Sequence, residues 1–136
     1  MKMKLILVLI FAAAFCAFQP AQAHHPFAAV FDVNKPVTLT GTLFKMEWVN
    51  PHGWIYMDVK GTDGVTKRWT IETSGPNSMN RRGLKKTDVK AGMTLTVKGY
   101  QSREDPVLAN GRTLVLPDGR SVYIGATGGP NDGADR

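Results

Sequence analysis

The sequence has one cysteine, three histidines and no apolar run of twenty residues. Each shortage removes a class of protein. One thiol cannot build a disulfide framework, and no Cys/His cluster, HxxxH or HExxH pattern offers a ready zinc site. The longest apolar run is the fourteen residues from Leu5 to Phe18, short of the ~20 that span a bilayer. There is no GxSxG elbow, no P-loop and no GxGxxG set between a strand and a helix. Serine hydrolases, nucleotide hydrolases and dinucleotide-dependent enzymes therefore have no footing, and a non-catalytic protein is expected. The one enzymatic exception left open is copper-dependent redox chemistry at His24.

What is present begins with a leader. Lys2 and Lys4 precede the apolar run, Pro20 breaks it, and Ala21-Gln22-Ala23 is a small-x-small cleavage site. Residues 1–23 are read as a signal peptide, so a periplasmic or secreted protein starting at His24 is expected. Cys16 follows Phe15, whereas lipoprotein processing needs a small residue there, so the thiol leaves with the leader. The remaining 113 residues are cysteine-free and carry 15 Lys+Arg against 11 Asp+Glu, a net +4 in place of +6. Export and that small surplus argue against a nucleic-acid partner. Arg81, Arg82, Lys85, Lys86 and Lys90 cluster in sequence and are read as a solvated helix-loop face.

Past residue 36 the hydrophobic period is two. Val37, Leu39, Gly41 and Leu43 alternate with threonines, and then the phase slips to Phe44, Met46 and Trp48. A one-residue slip in a continuous strand predicts a β-bulge. Asn50-Pro51-His52-Gly53 is a turn, Trp54 to Lys60 a strand, Asp63-Gly64 a hairpin turn and Thr66 to Thr73 the returning strand. Residues 77–86 suit a short helix plus loop, Met93 to Gln101 a further strand, Ser102 to Asn110 a loop, and 112–116 with 121–125 a last hairpin. The expected fold is mainly all-β: a five- to six-stranded antiparallel OB-like barrel with one short helix between strands 3 and 4. An open sandwich or roll is the rival. Residues 24–36 are expected to form an N-terminal arm, either one helical turn or a segment pinned by Phe27 and Phe31. Residues 37–125 form the domain, and 126–136 are expected to be a tail without regular structure.

Three segments taken together carry a resemblance: His24-His25-Pro26-Phe27, Lys35 to Gly41 (KPVTLTG), and Trp48 to Ile55 (WVNPHGWI). Gly75-Pro76-Asn77, Arg81-Arg82-Gly83 and Leu116 to Arg120 add to it. The chain resembles an uncharacterised family of small exported bacterial proteins, a domain of unknown function. That resemblance implies an exported β-rich domain and assigns no catalytic residue.

The histidines sit at two places only. A chain starting at His24 would offer its α-amine and imidazole to one metal, and His25 or His52 could complete a nitrogen set for copper or zinc. Met46, Met57 and Met79 are soft donors for Cu(I) should one lie nearby. A second candidate surface is aromatic: Trp48, Trp54, Tyr56 and Trp69, with Asn50 in the adjoining turn, could stack a sugar ring or a peptide. Trp54 and Tyr56 alternate with Ile55, Met57 and Val59, so only one of these sets can face the core. The expected function is a small binding module whose ligand is unspecified, with a copper or zinc site. The alternative is a structural or chaperone-like envelope protein that holds a protein or glycan on its aromatic face.

Overall fold

Alternation and turn chemistry place the strands, and packing decides where they bend. The computed structural model describes residues 26–126 and 128–130. Helix α1 (Phe27–Val30) leads into β1 (Phe31–Glu47), followed by β2 (His52–Lys60), β3 (Thr66–Ser74), α2 (Pro76–Arg81), a 3-10 turn (Lys86–Asp88), β4 (Thr94–Ser102), β5 (Leu108–Val115) and β6 (Ser121–Tyr123). The six strands form one sheet in the order β3-β2-β1-β4-β5-β6. Neighbours in that order are antiparallel, and β3 also pairs with β5 in parallel through Thr70–Leu108, Ile71–Ala109 and Glu72–Asn110.

The slip in the hydrophobic phase of β1 is a bulge. Leu43 pairs with Met57 and Lys45 with Tyr56, leaving Phe44 as the extra residue. The bend divides the strand's work: Pro36 to Thr42 pair with β4, and Gly41 to Glu47 pair with β2. Phe44 is half exposed, its ring under the Arg68 guanidinium at 3.6 Å. In β2 the choice of face is clear. Ile55, Met57 and Val59 are buried, while His52, Trp54, Tyr56 and Asp58 lie on the other face and are half-buried. The core joins these to Leu39, Leu43, Ile71, Leu95, Val97, Leu114 and Ile124, and α2 and the loop after it add Met79, Leu84 and Val89. Full burial of each such side chain stabilises by about 1.5–3 kcal/mol.

Three boundaries and the helix content differ from expectation. β1 starts at Phe31, so residues 31–36 of the expected arm are sheet, because Phe31 buries itself opposite Ser102 of β4. The arm's first turn is both helical and pinned by aromatics: Phe27 sits 5.4 Å from Phe31 and edge-on to Tyr100 at 5.8 Å. The helix between β3 and β4 is therefore accompanied by α1 and the 3-10 turn. β5 begins at Leu108, inside the expected loop, drawn in by its parallel partner β3. Ala126 and Gly128 to Pro130 pack back on the domain where an unstructured tail was expected; 131–136 lie outside the described residues. No helix among the described residues is long and apolar enough to cross a membrane.

Candidate functional site

The outward face of β2 carries His52 and Trp54 two residues apart, and the outward face of β3 carries Glu72 and Ser74 opposite them. Trp54 pairs with Glu72 and His52 with Ser74, so the His52 ring and the Glu72 carboxyl meet on a diagonal. His52 Nδ1 contacts Glu72 Oε1. The His52 side chain keeps 31% of its surface and Glu72 only 14%, so the imidazole is the member of the pair that reaches solvent. Burial pushes the Glu72 carboxyl above the ordinary glutamate range, against the lowering effect of His52's charge and hydrogen bond.

His52 faces a cleft of about 490 Å³ lined by Pro51, His52, Ser74, Gly75, Ser78, Ala126 and Gly128. Three pieces of chain make it. The Asn50-Pro51 turn, with a cis peptide, closes down on Gly75, where a Cβ would stand 2.7 Å from Pro51 O and 2.8 Å from Asn50 Oδ1. Helix α2 starts there with Pro76 in its first turn, whose fixed φ suits that position, and presents Ser78. The third piece is the strap after β6, and two arginines hold it. Arg82 Nη1 donates to Gly125 O at 3.0 Å, with its guanidinium 4.6 Å from the Tyr123 ring. Arg112 is 6% exposed; it donates to Ala126 O at 3.0 Å, to Pro130 O and to the Tyr123 hydroxyl. Gly129 lies so close that a Cβ would sit 2.4 Å from Arg112 Nη1 and 3.1 Å from a Phe27 ring carbon. The strap thus joins the cleft rim to the start of α1.

The expected site residues separate into groups. His52 and Trp54 share the face at the cleft, and Asn50 braces its rim. Tyr56 lies further along the same face, where its hydroxyl donates to Glu47 Oε2 at 3.2 Å and Lys45 Nζ sits 4.5 Å from the ring centroid. Trp48 and Trp69 turn the other way and pack against the core, so the four aromatics do not form one surface. Met57 and Met79 are fully buried and Met46 packs against the core. Met79 lies under Gly53, on the face opposite His52, so it is no partner for that imidazole. His24 and His25 lie outside the described residues. Among the described residues no three His, Cys, Asp or Glu side chains come together as a metal cage.

A family model matches residues 13–109. The chain belongs to DUF6152, a family of unknown function. The DUF6152 match takes in His52, Glu72, Ser74 and Ser78, and stops short of Arg112 and the strap. No curated protein matches the chain in sequence.

Glu72, Ser74, Ser78, Arg82 and Arg112 are the site residues that sequence reasoning missed. In the sequence Glu72 is one of eleven acidic residues, with no motif to single it out. Arg112 had a signal, a charge placed among the alternating residues of the last hairpin, but its carbonyl acceptors, Ala126 and Pro130, come from chain that lacks any periodicity.

Proposed function

We propose that this is an exported, periplasmic binding module whose sheet closes as an OB-like barrel and whose His52 cleft holds copper or zinc. The barrel reading draws on the strand partners: β1 pairs with β2 and β4, β3 with β2 and β5, and β4 with β5, so these five pairings run in a cycle, with α2 between strands 3 and 4. Export draws on the leader's charge, apolar run and cleavage pattern.

The observation that carries the metal reading is the His52–Glu72 pair at the cleft. A histidine that binds metal through one ring nitrogen commonly gives its other N–H to a carboxylate, which sets the tautomer and the ring's orientation. Glu72 supplies that carboxylate to Nδ1, and Nε2 is then the ligand atom. One histidine is not a site, and the remaining donors in this proposal are His24 and His25. Phe27 lies against Gly129, next to the Gly128 that lines the cleft. His25 stands two residues before Phe27, a backbone reach of about 7 Å, and the terminal amine of a chain cut after Ala23 is one residue further.

Mass spectrometry of the exported protein should give His24 as its first residue. Cu(II) titration of that protein should then show His52→Ala binding at least about tenfold more weakly, with Glu72→Gln between it and wild type. Equal affinity in all three would assign binding to the N-terminal histidines alone and overturn the folded site. The alternative, an envelope protein that holds a protein or glycan on its aromatics, draws on Trp54 and Tyr56 only, since Trp48 and Trp69 pack inward.

A further inference from the structure

The positive charge of this protein is gathered in one connection. Residues 81–90 hold five cations (Arg81, Arg82, Lys85, Lys86, Lys90) against one carboxylate (Asp88), a net +4. The other residues from 26 to 130 hold nine cations against eight carboxylates, a net +1. Packing leaves most of those cations exposed. Met79, Leu84 and Val89 are driven into the core, with exposures of 0%, 0% and 8%, and pin the connection at intervals of five residues. The residues between the pins project away from the core, and Arg81, Lys85, Lys86 and Lys90 are all exposed. Arg82 is turned instead to Gly125 and the Tyr123 ring.

Among the described residues none of the four that project forms a salt bridge, and only Lys85 adds its charge to the field at Asp88. Arg81 Nη2 donates to the Ser78 hydroxyl at 3.2 Å, and the three lysines form no ion pair among the described residues. Asp88, the one acid nearby, accepts from the Lys85 backbone N–H at 2.9 Å and from Arg120 at 3.3 Å. Elsewhere acids do meet cations: Lys45 with Glu47, Arg68 with Asp58, Arg103 with Asp32.

We propose that the Arg81–Lys90 connection docks the protein on an anionic phospholipid bilayer through its phosphate headgroups. The arrangement suits a spread of charge better than a discrete ligand. Three of the four cations are lysines, compact point charges without the forked geometry that grips one phosphate. Apart from Ser78, which bonds Arg81, none of the groups involved lines the cleft. Basic residues held at a negatively charged membrane each add to the attraction, and the attraction fades within a Debye length. This inference stands apart from the metal reading, because none of the four cations belongs to that site.

Purified protein should co-sediment with phosphatidylglycerol-containing vesicles and not with phosphatidylcholine vesicles, and should be released as salt rises from about 50 to about 300 mM. The triple variant Lys85→Gln, Lys86→Gln, Lys90→Gln should lose about thirtyfold or more in partitioning. The control Lys35→Gln, Lys67→Gln, Lys98→Gln removes the same charge from exposed positions on β1, β3 and β4 and should lose less than about threefold. Equal loss in both triples would reduce the effect to net charge and overturn the proposal. So would equal binding to both kinds of vesicle. Displacement by millimolar inorganic phosphate, beyond that by chloride at equal ionic strength, would point to a discrete phosphate site and overturn it too. Salt release is measured on wild type, so one arm of the test requires no variant to fold.

Discussion

Arg112 and the four projecting cations of residues 81–90 carry charge of the same sign, and the fold treats them in opposite ways. Arg112 is buried on β5 with its guanidinium turned to two backbone carbonyls and a tyrosine hydroxyl. Arg81, Lys85, Lys86 and Lys90 stand in solvent and form no salt bridge among the described residues. A guanidinium taken out of water must have its donors met, so Arg112 is committed to holding the strap that forms the cleft rim. The exposed cations carry no such duty. Buried charge here shapes a site, and exposed charge is left available to a partner.

Glu72 lies between these extremes, and substitutions at the three places should rank accordingly. Arg112→Met leaves the carbonyls of Ala126 and Pro130 without their donor and should cost about 3 kcal/mol in urea unfolding. Arg112→Lys, which keeps the charge but loses the fork, should recover only part of it. Wild-type stability in Arg112→Met would mean that the strap is held by other contacts, and the contrast with the exposed cations would collapse.

The middle effect depends on pH. The folded Glu72 carboxyl titrates above its ordinary value of 4.5 because burial penalises the ionised form. Its contribution to stability is therefore full below that ordinary value and declines as pH rises through the raised one. Glu72→Gln does not ionise, so unfolding measured against pH should show the variant gaining on wild type as pH rises across that window. A difference that stays flat with pH, or that runs the other way, would show that the charged pair with His52 outweighs burial. The smallest effect belongs to the lysines. The triple Lys85, Lys86, Lys90→Gln should melt with wild type in a thermal scan, since each side chain is exposed and bonds no other side chain. A lowered midpoint would show that the connection depends on them for its shape.

Much of the strand pattern was legible locally. The alternation in β1 to β4, the Asp63-Gly64 hairpin and the bulge at Phe44 follow from period-two burial and turn chemistry, which act over a few residues. The site was legible in part: His52, Trp54 and Asn50 lie at the cleft, but Trp48 and Trp69 were grouped with them when packing sends them inward. Alternation shows that two sets of side chains oppose each other without showing which faces the core. Glu72 could not be singled out, because its partner lies across a strand pair, twenty residues away in sequence. Arg112 was hidden for the same reason: its two carbonyl acceptors, Ala126 and Pro130, lie in the strap, in residues that look unpatterned.

The sequence by itself determined the family, a β-rich domain and the expectation of an N-terminal leader, and it showed one cysteine at position 16 and histidines at two places only. Those properties reside in composition, short motifs and local periodicity. Only the tertiary structure decided that β3 meets β5, that Glu72 abuts His52, that Arg112 folds the tail into a rim, and that Arg81, Lys85, Lys86 and Lys90 stand exposed between buried pins. Each of those depends on residues far apart in the chain whose contact is set by how the bent sheet and its buried pins come together.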